Sequence, residues 1–168
     1  MDTTPHPACL TEEQLAESCE IQRTRRGGPG GQHRNKVESA IVVTHRDTGV
    51  SAQASERRSQ HENRSVALQR LRVNLAIEVR TARKQGPSDL WQSRCRSGRI
   101  RVSSNHQDYP SVLAEALDHI YQHELQISSA ADSLKCSTSQ IIKLIKSEAA
   151  AFVKLNAERK RREMPPLK

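Results

Sequence analysis

The sequence predicts an α+β protein: a small β-sheet with one helix packed on it, followed by an α-helical C-terminal region that includes a helix-turn-helix-like segment. Three observations carry that prediction. Short β-branched runs flank a turn between Glu38 and Ala54, the pattern of a hairpin. Leu68, Leu71, Leu75 and Val79 then recur at three- and four-residue steps, the spacing of one helix face. From Tyr109 onward the apolar residues keep helical spacing.

The elements follow in order. Residues up to about Glu12 read as a flexible lead-in, and Thr11 reads as the cap of a short helix through Leu15. Residues 19–25 alternate around Ile21 and predict a weak strand. Residues 38–45, with Ala40-Ile41-Val42-Val43-Thr44, predict a better one. Arg46-Asp47-Thr48-Gly49 is the turn, and residues 50–54 return as its hairpin partner. The main helix is expected over about 62–83, with Arg64, Arg70, Arg72 and Arg80 on other angles giving a basic outer face. Gln85-Gly86-Pro87-Ser88 stops it. Residues 91–106 hold Arg94, Arg96, Arg99 and Arg101 with no clear period, and are expected as a linker or exposed arm. Val112, Leu113, Ala116, Leu117 and Ile120 form the stripe of the next helix. Ser128 or Ser129 is expected to open a short helix and Ser137 another, and residues 154–162 end in a basic tail.

Composition narrows the partners. The formal charge is +8 with a sequence pI near 9.7, which points to an anionic partner, most commonly nucleic acid. Aromatics are only 2% of the chain, which argues against base stacking on a sheet and favours phosphate contacts from Arg and Lys. Hydrophobic residues reach 35%, enough for a modest core with large solvated or partner-contacting segments. Cys9, Cys19, Cys95 and Cys136 lack the short spacing of a zinc knuckle, and no secretory signal precedes them. They read as reduced thiols in a cytoplasmic protein. No apolar run is long enough to span a bilayer. His119 and His123 sit one helical turn apart, but no third ligand accompanies them, so surface or half-buried histidines are expected, with no metal and no cofactor.

The most unusual stretch is Arg25-Arg26-Gly27-Gly28-Pro29-Gly30-Gly31-Gln32-His33-Arg34-Asn35-Lys36. Glycine adopts positive φ and lets a backbone approach a ligand closely. Between two strands, with Pro29 limiting its spread, such a loop can aim main-chain N–H groups at a developing oxyanion or leaving oxygen. Gln32 can shape the cavity and place a water. The plainer reading is a Gly-Pro linker whose arginines touch RNA non-specifically.

Gly27 through Lys36 resembles the GGQ segment of the class I peptide chain release factors. The likeness continues through Glu38-Ser39-Ala40, the Thr44-His45-Arg46-Asp47-Thr48-Gly49 turn, Glu56-Arg57-Arg58-Ser59-Gln60-His61-Glu62-Asn63-Arg64, and Ala67-Leu68-Gln69-Arg70-Leu71. The resemblance implies a domain that enters the ribosomal peptidyl transferase centre and triggers hydrolysis of the peptidyl-tRNA ester. The backbone amide of Gln32 would stabilise the transition state or the leaving 3′-oxygen, its side chain would control water, and Gly30 and Gly31 would permit the backbone shape. Arg25, Arg26, His33, Arg34, Asn35 and Lys36 would brace the loop or touch rRNA, as would Arg57, Arg58, Gln60 and Arg64. Arg34 stands where the family often has a small apolar residue. The plainer reading of residues 56–61 is a solvated turn with Ser59 or Asn63 capping the helix. Implied partners are the ribosome (large-subunit rRNA and peptidyl-tRNA) and a methyltransferase acting on the side-chain amide of Gln32. A monomer is expected.

The resulting division is a flexible leader over 1–18, a GGQ domain over 19–86, a basic linker over 87–107 and a helical region over 108–168. No stretch has the length or pattern of a stop-codon-reading region, so the expected activity is codon-independent, on stalled ribosomes. Short rescue members of the family carry a basic tail, which Arg159, Lys160, Arg161 and Arg162 resemble in charge. A helix end favoured by its dipole explains those charges equally well. Residues 128–146 are similar to a helix-turn-helix core. Ala130 and Ala131 would allow close crossing, Leu134, Cys136, Ile141 and Leu144 would fill the joint, and Lys143 and Lys146 would face phosphate. Lys135 replaces the usual turn glycine. A helical hairpin without a nucleic-acid role is the alternative there. For the whole chain the alternatives are an RNA-binding module with an idle GGQ loop, and a transcription regulator.

Overall fold

The computed structural model describes residues 5–24, 40–82 and 86–168, and the chain divides into two units, Met1–Glu78 and Val79–Lys168. Helices and a small antiparallel sheet make the expected α+β architecture.

In the first unit, β1 (Cys19–Thr24), β2 (Ala40–His45) and β3 (Ser51–Ala54) form an antiparallel sheet in that order. The register sets Ile21 opposite Val43, Val43 opposite Ala52, and Ile41 opposite Ala54, so these side chains share one face. Helix α2 (Gln60–Glu78) packs on β2 and β3 with Ala67, Leu68, Leu71 and Leu75 buried, as the apolar spacing requires. The β2–β3 turn closes through the Val50 carbonyl, which accepts from His45 N–H at 2.8 Å, and through Gly49 at φ +70, a conformation that favours glycine.

The expected flexible leader is folded over its described part. Residues Pro7–Cys9 form a 3-10 turn, and α1 (Glu12–Glu17) follows. Thr11 and Gln14 cap α1 reciprocally: Gln14 N–H donates to Thr11 Oγ1, and Thr11 N–H donates to Gln14 Oε1. Ala8 and Leu15 are fully buried. Two isolated apolar residues make no period, which is why their burial did not show in the sequence.

The basic outer face of α2 also needs correction. Arg72 is buried, and its Nε–H donates to the Ala8 carbonyl at 3.1 Å. Arg70 grips Glu56 and the Gln53 carbonyl. The helix ends at Glu78 rather than near residue 83. Arg80 and Thr81 instead donate to the buried carboxylate of Asp118, Thr81 Oγ1 at 2.7 Å and Arg80 Nη1 at 3.2 Å. Arg64 remains exposed.

The second unit is built around α4 (Tyr109–Gln122), buried from Tyr109 to Ile120 on all sides rather than along one stripe. The polar residues this encloses are engaged. Glu115 accepts from Ser88 N–H at 2.7 Å and Ser88 Oγ at 2.6 Å. His119, expected near the surface, is buried, with its Nδ1 3.1 Å from Ser133 Oγ and its ring stacked on His123. Against α4 pack α5 (Ile127–Ser133) and α6 (Thr138–Lys146), and α7 (Ala149–Arg161) packs on α6. Helix α5 opens at Ile127 after Gln126, without the serine cap expected at 128 or 129. Helix α6 opens as expected, Ser137 Oγ accepting from Gln140 N–H.

The stretch expected as a linker is also structured. Helix α3 (Asp89–Arg94) is capped by Ser88, and a two-residue-per-strand hairpin follows, β4 (Cys95–Arg96) and β5 (Arg99–Ile100). Ser97 and Gly98 both have positive φ, the signature of a type I′ turn. Trp91 is 1% exposed, and its Nε1–H donates to the Leu134 carbonyl at 2.9 Å. Strands of two residues are too short to show alternation. No helix among the described residues is long and apolar enough to cross a membrane.

Candidate functional site

Residues 25–39, which include Arg25, Arg26, Gly30, Gly31, Gln32, His33, Arg34, Asn35 and Lys36, lie outside the described residues. The described sheet fixes where that segment starts and ends. Thr24, the last residue of β1, pairs directly with Ala40, the first of β2. The chain therefore leaves and re-enters the sheet at neighbouring positions. β2 is backed by the core, with Ile41 and Val43 buried against α2, and β1 is held by its ladder with β2 and by the buried Cys19 at its far end.

The Glu56–Arg58 stretch and the start of α2 bring the next group together. Arg57, Arg58 and Arg64 are exposed near the N-terminal end of a long helix, where the helix dipole adds positive potential, and Gln60 is half-buried. Two devices set this turn. Glu56 accepts from Ser55 N–H at 2.9 Å and from Arg70. The backbone N–H bonds foremost, with the Arg70 guanidinium, hold its carboxyl below the usual range. Asn63, fully buried, clamps the Arg57 backbone: its Oδ1 accepts from Arg57 N–H at 2.9 Å and its Nδ2 donates to the Arg57 carbonyl at 3.0 Å. Ser59 caps the helix through Glu62 N–H. Asn63 thus fixes the backbone at Arg57 rather than capping α2. Asn63→Ala is expected to destabilise the protein by about 1–3 kcal/mol, because a buried amide that makes two part-buried hydrogen bonds to the Arg57 backbone is lost. A urea melt checks this, and a change below about 0.5 kcal/mol would contradict the clamp.

The second unit carries the helix-turn-helix-like pair. Ala130, Ala131, Leu134, Ile141 and Leu144 are buried, filling the α5–α6 joint, and Cys136 is half-buried beside them. Lys135 sits in the turn at φ +53, the conformation for which glycine is ordinarily chosen. Burial foremost, with Cys95 nearby, pushes the Cys136 thiol up to about 12, so it is a filler and not a nucleophile. Lys143 and Lys146 are exposed on α6, and the Lys146 ammonium lies 5.5 Å from the Phe152 ring centroid.

The four basic residues ending α7 do not behave alike. Arg159 is buried, and its guanidinium donates to the Leu125 and Pro165 carbonyls at 2.6 and 2.9 Å, so it is a brace and not a phosphate contact. Arg161 and Arg162 pair with Glu158 one turn back, and Lys160 is exposed. Beyond α7 the chain folds back, with Asn156 and Leu167 exchanging two hydrogen bonds. The repeated positive charge hid this division of labour, because burial is set by which face of α7 meets Leu125.

The β4–β5 hairpin lies in the stretch expected as a linker or exposed arm. Arg96, Arg99 and Arg101 are exposed there. The available signal was the Ser97-Gly98 dipeptide between Cys95-Arg96 and Arg99-Ile100. Among the described residues no group of three or more His, Cys, Asp or Glu is placed to hold a metal ion.

Residues 12–112 match the family model of the RF-1 domain. Peptide chain release factor 1 of Rickettsia typhi is 42% identical over 86 residues, covering 49% of this chain and 24% of that protein. Peptide chain release factor 1 of Caldicellulosiruptor saccharolyticus is 49% identical over 59 residues, 35% of this chain and 17% of that protein. Peptide chain release factor 2 of Sulfurovum sp. is 46% identical over 69 residues, 41% and 19% respectively. The chain thus spans less than a quarter of the length of these relatives. The matched segment contains the sheet, α2 and the Asn63-clamped turn, together with the Gly27–Lys36 motif, and on that basis the chain belongs to the class I peptide chain release factor family.

Proposed function

We infer that this chain acts as a release factor inside the ribosome, promoting hydrolysis of the peptidyl-tRNA ester without reading a stop codon. One observation carries the reading: the glycine-rich segment with Gln32 runs between the paired ends of two adjacent strands, Thr24 opposite Ala40, the second of them backed by the core, within the part of the chain that matches the family. A segment of this length, pinned at both ends, reaches at most about 25 Å beyond the sheet. That is enough to carry a backbone amide away from the bulk of its own domain.

The chemistry needs no charged catalytic side chain. Water attacks the ester carbonyl carbon, the bond to the tRNA 3′-oxygen breaks, and that oxygen leaves with a proton as the peptide acid forms. Gln32 N–H donates to the oxygen on which charge develops, and its side chain admits water and excludes larger nucleophiles. Gly30 and Gly31 allow the close approach. Arg25, Arg26, His33, Arg34, Asn35 and Lys36, with Arg57, Arg58 and Arg64 beside α2, hold rRNA phosphates. A methyltransferase acting on Gln32 belongs to the same proposal.

A second reading is favoured by the α5–α6 pair with its left-handed Lys135: an RNA-binding module whose glycine loop is idle. Peptide release is the discriminating measurement. Ribosomes loaded with labelled peptidyl-tRNA, and carrying no mRNA, a sense codon or a stop codon, are expected to release peptide in all three states. Release confined to the stop codon would sink the codon-independent reading, and absence of release in every state would favour the module.

A further inference from the structure

We propose that the β4–β5 hairpin and the exposed face of α6 form one surface that holds the phosphate backbone of an RNA helix without reading its sequence. The choice of RNA rests on the function proposed above. The surface itself rests on the fold of the second unit.

The hairpin is fixed to α6. Ile100 N–H donates to Gln140 Oε1 at 3.0 Å, and Arg101 N–H donates to the Arg94 carbonyl at 2.7 Å. Trp91, one turn before the hairpin, is bonded to the Leu134 carbonyl in the turn between α5 and α6. Arg94 is engaged by Asp108, with its Nη2 2.6 Å from Oδ2, and serves structure. Strands, turn and α6 therefore move together.

The charges on this frame are unbalanced. Arg96 lies directly opposite Arg99, so two cations share one face of a two-residue ribbon. Like charges in that position destabilise a ribbon. Neither they nor Arg101 has an ion pair among the described residues, and all three are exposed. Lys135 in the adjoining turn and Lys143 on α6 are exposed as well. A charge arrangement that weakens the free protein is satisfied by an anion.

The same frame says how the anion is read. Asn and Gln are among the side chains that read base edges with paired hydrogen bonds, and Gln140 of α6 is already engaged by the hairpin. The exposed face of α6 carries Thr138, Ser139, Lys143 and Lys146, side chains that can all contact phosphate. The major groove of an RNA helix is too narrow to admit α6, so contact falls on the backbone.

The test uses the full chain and a fluorescent RNA duplex of about 20 base pairs, followed by anisotropy across a salt series. R96A/R99A is expected to bind about tenfold more weakly at low salt, and to lower the slope of log affinity against log salt by about 2. R96K/R99K keeps the charge and is expected to restore most of the affinity. A duplex of scrambled sequence should bind equally well. Unchanged affinity and slope in a folded R96A/R99A protein overturn the proposal, as does tighter binding of the equivalent DNA duplex. Gln32→Ala should leave this binding intact. A chain that releases no peptide yet loses duplex binding in R96A/R99A retains the surface and loses only the catalytic reading.

Discussion

Gln32→Pro is expected to lower peptide release by roughly 100- to 1,000-fold while ribosome binding persists. The figure is the usual consequence of removing one preorganised donor from a developing oxyanion. Proline is the informative choice because it deletes the backbone N–H itself. Gln32→Ala keeps that donor and removes only the side chain that controls water, so its release should exceed that of Gln32→Pro. Measured side by side under single-turnover conditions, the two variants separate amide from side chain. Equal release by both would remove the amide from the mechanism. Binding is expected to survive because the basic residues of the domain are untouched by either change, and its loss in Gln32→Pro would point to a misplaced loop. The comparison is sharp because the proposed chemistry concentrates on one main-chain group.

Trp91→Ala is expected to destabilise the second unit by about 3–5 kcal/mol, a large share of the roughly 5–15 kcal/mol that holds a domain together. Trp91 is 1% exposed, so its removal leaves a cavity of indole size beside α4 and the α5–α6 turn. It also leaves the Leu134 carbonyl without its donor. Trp91→Phe keeps much of the ring but not the N–H, and should cost about 1–3 kcal/mol. Trp91 is the chain's one tryptophan, so the variants must be followed by circular dichroism rather than by intrinsic fluorescence. A loss below about 1 kcal/mol in Trp91→Ala would mean that the helix-and-hairpin stretch is not integral to this unit. The same substitution should weaken duplex binding, since Trp91 ties the hairpin's leading helix to the turn before α6.

Much of the architecture was legible because its signals are local and repeated. Ile41 and Val43 alternate, Gly49 sits where a turn needs positive φ, and Leu68, Leu71 and Leu75 keep helical steps. Thr11 and Ser137 cap the helices they were expected to cap. The family resemblance was equally legible, because an ordered motif survives without knowledge of any contact. What went unread lacks repetition. Ala8 and Leu15 are single apolar residues in a polar stretch, and Trp91 is one aromatic among arginines, so neither stretch announced that it folds.

Arginine was the most misleading residue. Arg72, Arg80 and Arg159 carry the same charge as Arg64 and Arg96, yet the first three are bound to the Ala8 carbonyl, the Asp118 carboxylate and the Leu125 carbonyl. Composition counts their charges without showing which are already satisfied. The residues alone determined that this chain is a basic α+β protein with a release-factor glycine motif between two strands, because periodicity, turn chemistry and motif order are written along the backbone. The three-dimensional fold alone decided which cations remain for a partner, and that the Cys95–Ile100 stretch is a fixed ribbon beside α6. A guanidinium's availability depends on carbonyls and carboxylates distant in sequence, and only packing brings those together.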